Sequence, residues 1–435
     1  MEKLKIFPKN AAVNSAGHLE IAGVDASALA KEFGTPLFVY DEDHIRTALK
    51  SYIEEFKKQG VEAIVAYAGK AFLCLYLAKI MAEEGAYLDC VTGGEIYTAL
   101  KGGFPAERIL FHGNNKSEEE LKLALDSGVG YIVIDSFDEI NRLKQLLRKY
   151  GKKQKVLIRI TPGIIPKTHT YIQTGQVDSK FGFSLATGQA YEAALEVLAA
   201  EEFDLKGFHM HIGSQIFSLD PYKAAARVMA DFISKVKQKT GYEPEIANFG
   251  GGIGVAYRVS DEPPSIGDFV AVLSQAVREE FQKRNLKMPI IAVEPGRSIV
   301  GPAAVTLYRI GTIKEIVGIR LYVSVDGGMS DNLRPMLYGA VYEAFIATRM
   351  NSPSETRATI AGKHCENGDI LIRDAEIPYP AVGDLLVIPV TGAYGYAMAN
   401  NYNCQPRPAV VFVKDGQARL AVKRETFEDL VRNQL

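Results

Sequence analysis

Lys70 stands directly after the apolar run Ala63-Ile-Val-Ala-Tyr-Ala68 and Gly69, a run that reads as a buried strand. A lysine so placed has two uses. Its stem can cover apolar surface while the ammonium reaches water, or burial can keep the amine neutral so that it joins an aldehyde cofactor as a Schiff base. A cofactor held in that way needs a second grip. Gly250-Gly251-Gly252, followed by Gly254, leaves backbone amides open to a phosphate, although the same run also suits a plain turn. It lacks the G-K-S/T ending of a nucleotide loop. His209 and His211 in "HMHIGSQ" share one strand face and could be two metal ligands. No third histidine or carboxylate motif completes that shell, so a flat ring stacked on a cofactor is the better use for one of them. In "EPGR", Glu294 is a carboxylate at a strand end and Arg297 a fixed fork for an anion; a simple Glu-Arg ion pair is the alternative.

These residues share one position in a repeating pattern. Eight short apolar runs, at 62–68, 87–91, 108–113, 131–135, 155–160, 205–213, 245–252 and 288–296, alternate with amphipathic stretches such as "SEEELKLALDSG" and "SFDEINRLKQLLRKYG". Alternation of this kind predicts βα units around a parallel sheet, and eight is the number that closes a (β/α)8 barrel. A doubly wound open sheet is the weaker alternative. The unusual residues all follow strands, where barrel enzymes place their chemistry. Beyond Arg297 the texture changes to alternating runs with Gly and Pro punctuation, "RLYVSVDGG", "DLLVIPVTG" and "PAVVFVKDGQARLAVKRE" among them, which predicts a β-rich sandwich or barrel. The expected organisation is α/β: strands of residues 1–40 packing with the β domain, a (β/α)8 barrel over 41–297, and the β-rich domain over 298–435. A helix is expected to open at Asp41, with Ile45, Leu49, Ile53 and Phe56 on one face.

Bulk properties narrow the partner. The 435 residues are 47% hydrophobic and 23% charged with a formal net charge of −2, and no stretch concentrates Lys and Arg. Nucleic acid and anionic membrane are therefore poor partners, and a small molecule is expected. "MEKLKIFPKN" lacks a signal-peptide core and no apolar run is long enough to span a bilayer, so a cytoplasmic location is expected. Cys74, Cys90, Cys365 and Cys404 form no C-x-x-C pair, which argues against a disulfide framework or a zinc ribbon.

Taken together, "YAGKAF", "FHGNNKS", "HTYIQTGQVDSKFGF", "HIGSQIF", "NFGGGIG", "EPGR", "RPMLY", "CENGD" and "GAYGYAMANNYN" resemble the diaminopimelate decarboxylases, pyridoxal-phosphate enzymes of the alanine racemase-like barrel fold. The resemblance runs from about residue 20 to residue 410. It implies that Lys70 carries the Schiff base, that His211 stacks on the ring face, and that Ser214, Gly251 and Gly252 contact the phosphate. Glu294 would hold the ring nitrogen protonated, which strengthens the electron sink. Arg297, Arg334 and Tyr338 would take the distant carboxylate of meso-diaminopimelate and Glu366 its distant ammonium. Tyr394 is expected near the cofactor phosphate. Cys365 would donate a proton to the carbanion, and together with Glu366 would come from the neighbouring subunit of a homodimer. No metal is expected.

The reaction so implied is decarboxylation to L-lysine, the last step of lysine biosynthesis by the diaminopimelate route. Decarboxylation of carboxynorspermidine or arginine, cofactor binding without turnover, and metal-dependent hydrolysis are the alternatives. The sequence departs from the family pattern at Gly69, at Asn367, and in "AGKHC", which replaces a usual Gly-Pro approach to the cysteine.

Overall fold

The computed structural model describes residues 2–164 and 178–435. They divide into two compact units. One holds Ala48–Gly254 and Pro263–Gly296, and the other the segments ending at Thr47, Val255–Glu262 and Arg297–Leu435. The dividing line therefore falls inside the helix Glu42–Lys58, and the second unit takes an excursion of the chain, 255–262, that the sequence reading left within the barrel.

The first unit is a closed parallel barrel. Its eight strands are Ala63–Ala68, Tyr87–Cys90, Ile109–Phe111, Tyr131–Ile134, Gln154–Thr161, Phe203–His209, Ile246–Asn248 and Ile290–Val293. Consecutive strands pair in parallel, and Ile290–Val293 closes on Ala63–Ala68 through Ile291↔Ala63 and Val293↔Val65. A short strand, Phe183–Ser184, adds to the fifth. Ile64, Ala66, Leu110, Val133, Leu157, Ile246 and Ala292 form one buried cluster drawn from six of the eight strands, the packed centre that makes such a barrel a core and not a pore. Helices follow the strands, and their ends are sequence-coded. Ser117 and Glu120 form a capping box ahead of Glu118–Ser127, which closes at Gly128 in the left-handed region at φ 75°. In Phe137–Tyr150, Ile140, Leu143 and Leu147 recur every three to four residues and are buried.

The second unit is built on a mixed sheet in the order Ile370–Ile377, Thr356–Ala361, Arg320–Val325, Ala304–Ile316, Leu37–Asp41, Ala409–Lys414, Gln417–Val422, with Leu385–Pro389 pairing to Ala304–Ile316 off this path. Leu37–Asp41 is buried along its length; it runs antiparallel to 304–307 and parallel to 409–413. Asp41 ends that strand and accepts the His44 amide at 3.1 Å, starting the helix Glu42–Lys58. No helix among the described residues is long and apolar enough to cross a membrane.

Candidate active site

The C-terminal ends of the barrel strands deliver one polar group after another. Lys70 follows the first strand, Asp89 lies in the second, His112 follows the third and Asp135 the fourth. Arg159 is in the fifth, His209 ends the sixth, Asn248 ends the seventh and Glu294 follows the eighth. Chain continuity explains this: each strand is buried over its apolar length and can carry a charge only where it leaves the core.

Lys70 sits in the single turn Gly69–Ala71, which Tyr67 braces by donating its hydroxyl to the Phe72 carbonyl at 2.6 Å. A Cβ on Gly69 would come within 3.0 Å of the Asp89 carbonyl oxygen, so the absence of a side chain lets the turn lie against the second strand. Lys70 Nζ is 3.7 Å from Asp89 Oδ2, and the lysine side chain is 42% exposed. Of the two placements considered for this side chain, the wetter one is found. The lysine is half-exposed, and a buried carboxylate faces its ammonium.

Asp89 is 3.9 Å from His112 Nε2, and His112 Nε2 is 2.9 Å from Glu294 Oε1. Glu294 is buried; its Oε2 accepts the Nε2–H of His209 at 3.0 Å and its Oε1 accepts the Asn248 amide at 2.7 Å. Asn248 turns its own oxygen to the Gly250 N–H at 2.9 Å, tying the glycine run to this carboxylate. Burial opposes charge on Glu294, but His112 and His209 outweigh it and hold the carboxyl well below its ordinary range. Burial brings His209 down to about 4 against the pull of Glu294. At neutral pH the pair is an ionised Glu294 and a neutral His209 that donates from Nε2, its Nδ1 having no hydrogen-bond partner among the described residues.

His209 and His211 are thus separated in role, and the pairing considered for a metal does not form from them. The ligand atoms that converge, within 4.8 Å of one another, are those of His112, His209 and Glu294. His211 instead accepts the Gly251 N–H on Nδ1 at 3.3 Å. Burial, with the Lys70 and Arg159 cations, holds its imidazole well below the ordinary value, so the ring is neutral and flat.

The glycine run has a steric reason at each position. A Cβ on Gly250, where φ is 65°, would lie 2.6 Å from His211 Nδ1; on Gly251 it would meet the Glu294 carbonyl at 2.2 Å, and on Gly252 the Gly213 carbonyl at 2.2 Å. The loop of Ser214 is stitched to the same run by Ile216 N–H to the Gly252 carbonyl at 2.9 Å. Two backbone segments meet where no side chain fits.

The remaining expected residues belong to the second unit. Arg297 and Arg334 are buried, 5% and 6% exposed. Arg297 Nη1 donates to the Tyr257 hydroxyl and Arg334 Nη1 to the Tyr342 hydroxyl, both at 2.5 Å. Arg297 lies 4.8 Å over the Tyr394 ring, and Arg334 4.8 Å over that of Tyr257. Burial raises the Tyr257 phenol, but the two guanidiniums outweigh it and leave it below its ordinary value. Among the described residues Arg334 forms no ion pair with a carboxylate, so this cluster has the character of an anion site. Tyr394 holds its place with a left-handed backbone, φ 59°. Tyr338 ends the short helix Arg334–Tyr338. Cys365 is an exposed free thiol and Glu366 is exposed beside it. Of "HTYIQTGQVDSKFGF", which spans 169–183, residues 169–177 lie outside the described residues.

Residues 42–301 match the family model for the pyridoxal-dependent decarboxylase, pyridoxal binding domain. A diaminopimelate decarboxylase of Bacillus subtilis is 50% identical over 419 residues, 96% of this chain and 95% of that one. That of Mycobacterium tuberculosis is 44% identical over 98% of this chain and 97% of its own. The crystal structure of the M. jannaschii diaminopimelate decarboxylase in co-complex with L-lysine superposes with a TM-score of 0.91 at 34% identity, covering 98% of both chains. The chain belongs to the diaminopimelate decarboxylases.

Membership makes it a pyridoxal-phosphate carboxy-lyase, and the barrel's residues fit that cofactor on their own chemistry. There is a primary amine at Lys70, a buried anion at Glu294, a neutral ring at His211 and a side-chain-free cradle at Gly251 and Gly252. Sequence reading missed Asp89, His112, Asn248 and Arg159 as members of this diaminopimelate decarboxylase site, and Tyr257 and Tyr342 as partners of the arginines. The first three stand in "DCVTGGE", "FHGNN" and "EIANFGGG", each just where a strand ends, which is the signal that could have found them.

Proposed function

We propose that this chain decarboxylates meso-diaminopimelate to L-lysine and carbon dioxide, the last step of lysine biosynthesis by the diaminopimelate route. The observation that carries the reading is the buried, ionised Glu294, held by His209 and Asn248 in the same ring of strand ends as Lys70. Pyridoxal phosphate, when bound, supplies a ring that takes up the electron pair left by departing carbon dioxide.

Lys70 is the group that holds the cofactor's aldehyde carbon, and its contact with Asp89 supports an amine steered by charge. His211 covers the ring face. Ser214, Gly251 and Gly252 hold the phosphate, with Arg297 and Tyr394 as further contacts. Glu294 keeps a proton at the ring nitrogen, in a site where its charge is fixed beforehand and needs no reorganisation. Arg297, Arg334, Tyr338 and Tyr394 bind the substrate, the arginines taking its distant carboxylate, and Glu366 takes the distant ammonium. Arginine and ornithine end in a cation, which two buried guanidiniums repel.

Cys365 delivers the proton that replaces carbon dioxide. Its exposure with Glu366 supports their donation to the site of a second copy, so the working form in this reading is a homodimer. A cytoplasmic location goes with it, since the exposed thiols of Cys365 and Cys404 are free and persist so in a reducing compartment. The test is carbon dioxide release by the cofactor-loaded protein from meso-diaminopimelate, arginine and ornithine in separate reactions. Only the first is expected to react; a preference for either other substrate overturns the specificity argument.

A further inference from the structure

Cys365 and Glu366 lie on a loop whose shape is dictated by one carboxylate. Asp369 is 3% exposed, and both of its oxygens accept backbone N–H groups. Oδ1 takes that of Met329 at 2.6 Å and Oδ2 that of His364 at 2.9 Å. The fit is close on both sides: a Cβ on Gly362 would stand 2.1 Å from Oδ2, and one on Gly328 2.6 Å from Oδ1.

His364 is buried and adds a second tie. Its Nε2 and the Ser330 hydroxyl are 2.8 Å apart, and its ring centroid lies 5.8 Å from that of Tyr402. Between these anchors the loop closes on itself. Glu366 N–H donates to the His364 carbonyl at 2.8 Å and Asp369 N–H to the Glu366 carbonyl at 3.0 Å. Gly368 N–H reaches Glu366 Oε1 at 3.1 Å, and Cys365 N–H reaches Asn403 Oδ1 at 3.0 Å.

Lys363 N–H donates to the Gly327 carbonyl at 3.0 Å, a bond that a proline at this position could not make. The segments 327–330 and 362–369 are therefore sewn together by Lys363, His364 and Asp369, while Cys365 and Glu366 are left projecting.

We propose that Asp369, with His364 and Ser330, is the positioning group that fixes Cys365 and Glu366 for proton delivery and substrate recognition. The proposal rests on the roles given to those two residues above. Asparagine at 369 has nearly the same volume but offers one acceptor in place of two and sets an amide donor against a backbone N–H.

The test uses the full chain loaded with cofactor and compares Asp369→Asn and Ser330→Ala with Asp374→Asn, a change at an exposed carboxylate of the same unit. Iodoacetamide labelling followed by peptide mass spectrometry reads Cys365 against Cys404 and needs no substrate. Cys365 is expected to label several-fold faster relative to Cys404 in Asp369→Asn. KM for meso-diaminopimelate should rise about tenfold, the cost of one unsatisfied buried N–H, with kcat reduced and cofactor retention unchanged. Ser330→Ala, which spares the carboxylate, should move both readouts the same way by less, and decides the matter if Asp369→Asn does not fold. Wild-type labelling and KM in a folded variant overturn the proposal. Altered labelling in a protein that decarboxylates none of the three amino acids leaves the loop's architecture standing and removes the reaction assigned to it.

Discussion

Glu294 Oε2 accepts the Nε2–H of His209 at 3.0 Å, and both side chains are buried. Burial leaves the histidine neutral and the neighbouring histidines keep the carboxylate ionised, so the bond runs from a neutral ring to a charged oxygen. Glu294→Gln keeps the size and the Asn248 contact but removes the charge. We expect kcat to fall by about 10²-fold, the scale of one lost preorganised electrostatic contact, with KM nearly unchanged. Steady-state kinetics with meso-diaminopimelate checks this, and a variant with wild-type kcat would remove Glu294 from the chemistry.

The dimer reading is tested by mixing two damaged chains. Lys70→Ala and Cys365→Ala are each expected to be inactive alone. If each site takes Lys70 from one subunit and Cys365 from the other, random reassociation restores about a quarter of wild-type activity, because half the dimers are mixed and each has one intact site. Mixing without recovery, in a sample shown by mass spectrometry to have exchanged subunits, contradicts a shared site.

Lys116 is expected to matter to folding and not to chemistry. Its buried Nζ donates to the Gly113 carbonyl at 2.8 Å, the Val133 carbonyl at 2.7 Å and Glu139 Oε1 at 2.7 Å, which uses all three hydrogens. Lys116→Met leaves Glu139 buried and uncompensated, which costs about 3–5 kcal/mol. Adding Glu139→Gln should return part of that. Urea denaturation of both variants measures the loss, and a single variant as stable as wild type refutes the account.

Asp331 sets a pH dependence of stability. Burial pushes its carboxyl up to about 7 from an ordinary 3.8, despite acceptance from Tyr308 and from the Gly328 N–H. The folded chain therefore keeps this proton where the unfolded chain has released it. Its contribution is full below about pH 4 and is lost as the pH rises to about 7. Asp331→Asn carries no titrating proton, so its melting temperature should fall less than that of wild type between about pH 5 and about pH 8. Parallel melting curves in the two proteins would refute this assignment.

The barrel was legible because a parallel strand is covered on both faces and so spells an unbroken apolar run, eight times over. The strand tips were legible for the complementary reason: a polar residue ending such a run interrupts it and needs polar partners where the strand gives way to a loop. Distance along the chain hid the rest. Asp89, His112 and Glu294 form one line of contacts, yet no local pattern says which strand ends are neighbours until the ring closes. Tyr257 was hidden because its segment leaves the barrel unit between two barrel residues, with no change of composition to mark it. The exposure of Lys70 stayed open between two readings because an apolar strand fixes what lies behind a side chain and says nothing of what lies in front.

The placement of Leu37–Asp41 between 304–307 and 409–413 has a consequence for how the chain is made. At about 5–20 residues per second a ribosome takes some tens of seconds to travel from Asp41 to Ala409. During that interval the barrel can close while the N-terminal strand still waits for its last neighbour. Translation that stops short of residue 409 releases a chain with an apolar strand edge open to other chains, so residues 409–413 decide whether 37–41 are safe.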